Sequence, residues 1–391
     1  MKQIINHFTD NDLYTFTCMY YILQKYPRAE TEYRFFDRNR TCYPKGFDLL
    51  LREQLEHLAE VVITDEEREF MTRSFPFLPY WFINVFLRGF RFNPAELTIS
   101  QDEEGHLDIR VKGKWWSTII WEMPILATIS ELMHTLNGDT MKYDAEAEWE
   151  KSLQKGRQIW TNGLTLGDMG TRRRFTFDHQ ERVIDALIQS YAEVCKETGG
   201  HCGKFTGTSN VYFAMKKNIP CLGTMSHQCI SFEEIVSGVF ECNYNVMNKW
   251  SEVYDGNVGI FLYDCFGDRV FFNNLSKRMA MTFCGLRIDS GVEEEQVDMI
   301  VEKYKQLGID PMSKQAVFSN GLDIKRAVEI HRYCQGKITD SYGVGTFLTC
   351  DVTDCSPMNI VVKLVRGRIT ESREWHPCVK LSCDKGKTLG D

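Results

Sequence analysis

Two short runs between Leu97 and Val111, LTISQ and LDIRV, partly alternate apolar with polar residues on either side of DEEGH. Alternation flanking a glycine-bearing turn predicts a β-hairpin in an α+β first domain. Upstream, EEREFMTRSF follows Thr64, whose hydroxyl is placed to cap a helix while Glu67 closes a capping box. The most apolar stretch runs from Ser74 to Leu87 and is interrupted by Pro76, Pro79 and Asn84. It breaks off before the ~20 residues of a membrane span and predicts a buried core segment.

From about Gly163 the pattern changes. The apolar runs PCLGTM, VGIFLYD, TFCGLRID and QAVFS each lead through a polar or glycine-bearing loop into a helical pattern. This βα rhythm predicts an α/β barrel. Ser231 with Glu233 and Glu234, and Ser290 with Glu293, are expected to start helices. Val183, Leu187, Tyr191 and Val194 share the core-facing side of a helix after Asp178. Barrels of parallel strands carry their reactive groups on the loops after the strands' C-terminal ends, so the polar residues that follow each apolar run become the candidates.

A length of 391 residues exceeds one typical small core and favours two domains. The formal net charge of −8 supplies no basic field for nucleic acid or an anionic membrane, so an anionic ligand must meet local positive groups. Fourteen cysteines without a CxxC pair argue against a zinc ribbon or a small disulfide scaffold and predict reduced thiols in a cytoplasm. The start, MKQIINHFTD, does not read as a signal peptide.

Five segments offer chemistry. SYGVGT, with Gly343, Gly345 and Thr346, lets backbone N–H groups approach a phosphate, or else forms an ordinary tight turn. GTRRRF sets three arginines before a helix, either as a solvated charge cluster or as a carboxylate or phosphate clamp. GLRIDSG places Arg287 and Asp289 on one side of an extended segment, as an ion pair or as groups for an anion and for ribose hydroxyls, with Asn320 and Asp323 of SNGLD adding ribose contacts. His227, in GTMSHQ, is by itself an ordinary histidine at a strand end, with no metal-binding spacing around it.

Taken in order, these segments resemble the bacterial nicotinate phosphoribosyltransferases. The resemblance runs from NDLYTFTCMYYILQKYP through GTRRRF, GTSN, GTMSH, GLRIDSG, LGIDPMSKQAVFSNGLDIKRAVE and YGVGTFLTCD to MNIVVKL and VKLSCDKGKT. It implies a type II phosphoribosyltransferase fold: an α/β sandwich over residues 1–140, completed by 360–391, beside an irregular α/β barrel over 141–359. It further implies a cytoplasmic head-to-tail homodimer with shared active sites. The substrates would be nicotinate and phosphoribosyl pyrophosphate, with ATP as co-substrate and Mg²⁺ accompanying the phosphates.

By the same resemblance, His227 is the histidine that ATP phosphorylates, Tyr14 stacks on the pyridine from the partner subunit, and Arg172 and Arg287 surround the nicotinate and phosphoribosyl groups. Asp289 and Asn320 match ribose positions, and Gly343, Gly345 and Thr346 match the 5′-phosphate loop. Asp264, Lys363 and Lys380 join the candidate binding residues. Ser209 stands where nicotinamide-using relatives carry aspartate; a serine donates to a carboxylate that an aspartate would repel, which favours nicotinate. Met169 replaces an aromatic ring wall and Val292 an acidic residue. The alternatives are nicotinamide or quinolinate phosphoribosyl transfer, or a non-catalytic barrel that binds a phosphorylated metabolite.

Overall fold

The computed structural model describes residues 2–382 and 388. The last part of the VKLSCDKGKT motif, from Cys383 to Lys387, lies outside them.

One sheet is antiparallel and is built from both ends of the chain. Its strands are β1 (Glu30–Asp37), β2 (Leu97–Gln101), β3 (Leu107–Lys114), β10 (Ile360–Arg368) and β11 (His376–Pro377), in the order β11-β10-β1-β3-β2. The predicted hairpin is β2 and β3, paired from Leu97↔Val111 to Gln101↔Leu107, and Gly105 at φ 93° makes its turn. β10 pairs with β1 from Glu30↔Arg368 to Asp37↔Ile360. This pairing matters for function, because it brings Lys363 opposite Arg34, four residues before Arg38.

The other sheet is parallel: β4 (Thr165–Asp168), β5 (Lys204–Thr208), β6 (Ile260–Leu262), β7 (Gly285–Ile288), β8 (Gln315–Phe318) and β9 (Thr339–Val344), in the order β5-β4-β9-β8-β7-β6. These strands are short, and β6, β7 and β8 are mainly apolar, as strands covered by helices are, whereas β5 and β9 start with less buried residues. The helix Phe177–Glu197 packs on β5 and the helix Ile324–Cys334 on β9. The architecture is α/β, and one apolar core continues through both halves. No helix among the described residues is long and apolar enough to cross a membrane.

Local signals succeeded where the backbone partner was adjacent. Thr64 accepts from Glu67 N while the Glu67 carboxylate accepts from Thr64 N, the reciprocal pair that the sequence predicts. Elsewhere tertiary contacts overrode them. Ser231 lies inside a helix that starts at His227, and the helix after Ser290 starts at Glu293 behind Val292. PCLGTM supplies only a bridge, Thr208↔Cys221. Gly207, at φ 99°, lets Pro220 O come so close that a Cβ would lie 1.9 Å from it. The stretch 74–87 is only half core: its helical turn buries Phe82, Ile83 and Leu87 but leaves Tyr80, Trp81 and Val85 exposed. The expectation of reduced thiols fails at Cys195 and Cys202, which are paired as a disulfide after Gly199 and Gly200, both at positive φ, reverse the chain.

Candidate active site

A cavity of about 390 Å³ lies at the C-terminal ends of the parallel strands, roofed by the antiparallel sheet. Met169 and Arg172 follow β4, Ser209 follows β5, Asp289 follows β7, and Ser319 and Asn320 follow β8. Lys363 of β10 and Arg38 beyond β1 enter from the other sheet, and Tyr14 enters from the helix Leu13–Lys25.

At one end stands His227, the first residue of the helix His227–Ser237. Its Nε2 lies 2.8 Å from Asp264 Oδ1, 2.9 Å from Lys380 Nζ and 3.8 Å from Asp289 Oδ2. Asp264 sits behind the ring, where Ser290 Oγ donates to its second oxygen at 2.7 Å. Burial pushes the Asp264 carboxyl up, but His227, Lys380 and Ser290 together hold it well below the usual carboxylate range. The His227 imidazole is held below its ordinary value by burial and by the Lys380 charge, against the pull of Asp264. Asp289 accepts from Ser319 Oγ at 3.0 Å. Arg287 donates through Nη1 to Met225 O at 3.2 Å, while its buried Nε has no hydrogen-bond partner among the described residues.

The other end is a closed hydrogen-bond network. Tyr14 Oη donates to Glu122 Oε2 at 2.9 Å, and Gln228 Nε2 donates to the same oxygen at 2.8 Å. Tyr33 Oη donates to Gln228 Oε1 at 2.5 Å and accepts from Trp115 Nε1 at 2.9 Å. Arg172 Nη1 lies 3.7 Å from Glu122 Oε1, with about half its side chain open to the cavity. Burial raises the carboxyls of both Glu122 and Asp12. Tyr14 lines this end of the cavity together with Arg172 and Ser209.

Ser209 lines the cavity, and its hydroxyl donates to Asp12 Oδ1 at 2.8 Å. The three arginines part company. Arg172 faces the cavity, Arg173 donates to Ile360 O at 2.9 Å, and Arg174 is fully buried in a forked pair with Asp10 at 2.7 and 2.8 Å. Their mutual repulsion is relieved by separate partners.

Gly343, Gly345 and Thr346 line the cavity, and the glycines also serve packing. A Cβ on Gly343 would fall 2.2 Å from Met169 Sδ, and one on Gly345 would fall 2.8 Å from Met169 O. Asn320 lines the cavity, with Nδ2 at 3.5 Å from Glu293 Oε1. Asp323 is exposed and caps the following helix by accepting from Arg326 N at 2.7 Å, and it is not part of the lining. Val292 is exposed as a helix cap position.

Sequence reasoning missed Asp12, Arg38 and Glu122. Glu122 left a readable sign: it is a lone acid inside the apolar run IIWEMPIL, where an unpartnered carboxylate would be costly. Arg38 left none, since only sheet pairing brings it to the site.

His227, Asp264 and Asp289 hold a ring nitrogen and two carboxylate oxygens within 4.8 Å of one another. This set does not fit a resident metal ion, because the Lys380 ammonium already occupies the corner at 2.9 Å from the ring nitrogen. Mg²⁺ keeps several waters and is commonly bound through substrate phosphates, which suits it to enter with a ligand.

Known proteins share this arrangement along the chain. The nicotinate phosphoribosyltransferase (NAPRTase) N-terminal domain matches residues 9–130, and the NAPRTase family model matches residues 164–388. The nicotinate phosphoribosyltransferase of Desulforapulum autotrophicum is 37% identical over 99% of this chain and 96% of its own length. The crystal structure of the Porphyromonas gingivalis nicotinate phosphoribosyltransferase superposes with a TM-score of 0.93 at 40% identity, covering 99% of this chain and 97% of that one. The Vibrio cholerae nicotinate phosphoribosyltransferase gives 0.87 at 27% identity, covering 99% and 90%. With both halves matched and the lining drawn from both, the chain belongs to the nicotinate phosphoribosyltransferase family.

Proposed function

We propose that the chain makes nicotinate mononucleotide and pyrophosphate from nicotinate and phosphoribosyl pyrophosphate, as a step of NAD biosynthesis, and draws on ATP through His227. The observation that carries the ATP part is a histidine on the cavity wall with Asp264 fixed behind it. When Nε2–H donates to Asp264, the lone pair lies on Nδ1, and the carboxylate offsets the positive charge that a phosphorylated ring acquires.

Glycosyl transfer itself needs little proton chemistry. The pyridine nitrogen has a free lone pair, so attack on the ribose C1 is a matter of positioning and of stabilising a departing anion. Tyr14 and Met169 bound the ring end, and Arg172 suits the nicotinate carboxylate. Asp289 is placed for ribose hydroxyls, while Arg287, Lys363 and Arg38 ring the phosphates with positive charge. Mg²⁺ accompanies the polyphosphates as part of the substrates. The setting is the cytoplasm. The working unit is a homodimer with shared active sites.

Incubation with labelled ATP, followed by measurement of acid-labile phosphate, tests the ATP reading. Wild type should be labelled and His227→Asn should not, and ADP formation should rise when nicotinate and phosphoribosyl pyrophosphate are added. Equal labelling of the two proteins would overturn the role of His227.

A further inference from the structure

The contacts at His227 Nε2 are mutually exclusive. A neutral imidazole nitrogen carries either a proton or a lone pair in the ring plane. Lys380 Nζ, a donor only, stands 2.9 Å away, and Asp264 Oδ1, an acceptor only when ionised, stands 2.8 Å away. Lys380 requires the lone pair at Nε2 and hence the proton on Nδ1. Asp264 requires the reverse. Asp289 Oδ2, at 3.8 Å, is too far to decide between them.

Lys380 also has somewhere else to go. Its ammonium lies 3.4 Å from Asp264 Oδ2, and it lines the cavity in which phosphate groups are to sit. Its strand of chain is anchored next to the same loop, where Phe266 N donates to Leu381 O at 2.9 Å, so the side chain can shift without moving the backbone. A phosphorylated ring, moreover, is positively charged and bears Nε2–H. An ammonium at its present distance would then face a donor and a like charge together.

We propose that Lys380 sets the tautomer of His227 and releases it when an anion enters the cavity. With no anion present, Lys380 donates to Nε2 and the Nδ1 proton blocks attack. A polyphosphate draws the ammonium away, Nδ1 gives its proton to cavity water, Nε2 takes one up and donates to Asp264, and the ring stays neutral. The Nδ1 lone pair then forms the bond to the γ-phosphorus of ATP as the bond to the bridging oxygen breaks, and ADP leaves with that electron pair. Lys380 is thus a positioning residue that acts through His227. Its role rests on the ATP reading above only in this last step.

The test is the ring-nitrogen spectrum of the full chain carrying ¹⁵N-labelled histidine, with His227 assigned by loss of its signals in His227→Asn. The free protein should carry the proton on Nδ1, and addition of inorganic pyrophosphate should move it to Nε2. Lys380→Met should show Nε2–H in both conditions, and Lys380→Arg should restore the pyrophosphate response if Lys380→Met fails to fold. The same tautomer in wild type with and without pyrophosphate would overturn the proposal. Absence of ATP-derived label on wild-type His227 would instead overturn the ATP reading, and the ring spectra would still judge Lys380.

Discussion

At the Tyr14 end of the cavity the polar groups are closed on one another: Tyr14 and Gln228 both donate to Glu122, Tyr33 holds the other side of Gln228, and Ser209 holds Asp12. At the His227 end a single ring nitrogen lies within reach of both a donor and an acceptor. The first arrangement fixes a shape, which suits an aromatic ring whose charge does not change during binding. The second is poised between two proton positions, which suits the phosphoryl acceptor proposed for His227. Gln228 directly follows His227, so one helix start carries a member of each arrangement.

The largest test of this contrast is Asp264→Asn. Replacing the charged partner that orients an imidazole removes charge stabilisation where it is needed, and we expect ADP formation to fall about 10²–10⁴-fold. Labelling of His227 should fall with it. Undiminished labelling would mean that Asp264 merely packs behind the ring, and the two ends would no longer differ in kind.

Arg172→Gln tests the fixed end. A charge-assisted hydrogen bond contributes about 1.5–3 kcal/mol, so the KM for nicotinate should rise roughly 10–100-fold while kcat changes little. A fall in kcat at unchanged KM would show that this end, too, works on the transition state.

How much of this was legible beforehand differs between the same two ends. His227, Arg287 and Asp289 lie in short recognisable segments, and Asp289 directly follows β7, because a parallel sheet delivers reactive groups a residue or two beyond its strands. The closed network was hidden. Glu122 and Gln228 are 106 residues apart in sequence, and Arg38 reaches the site only through the pairing of β1 with β10. Asp323 shows the converse, a polar residue in the right loop whose side chain serves its own helix. Spacing reports neighbours along one element, and it is blind to what a second sheet lays across them.

Lys363, which roofs the cavity from that second sheet, gives a smaller effect that depends on pH. Burial, with Arg38 and Lys380 adding repulsion, pushes its ammonium down to about 8. The charged form, which attracts phosphate, is present below that value and is lost as pH rises through it. The KM for phosphoribosyl pyrophosphate should therefore climb above about pH 8, by at most about tenfold per pH unit. In Lys363→Arg the curve should stay flat, because a guanidinium keeps its charge there. An identical curve in the variant would assign the pH effect to another group.

The smallest expected effect concerns Ser209, and it separates shape from direct recognition most finely. If its proton belongs to Asp12, as the 2.8 Å contact places it, Ser209→Ala removes no donor from the substrate. What it removes is one hydrogen bond to a buried carboxyl already raised by burial, worth about 0.5–1.5 kcal/mol of stability. The ratio of kcat/KM for nicotinate over nicotinamide should then move by less than about tenfold, the limit that one neutral hydrogen bond sets. A larger collapse of that ratio would mean that the serine turns toward the carboxylate once nicotinate is bound. The fixed end would then share in the rearrangement proposed for His227.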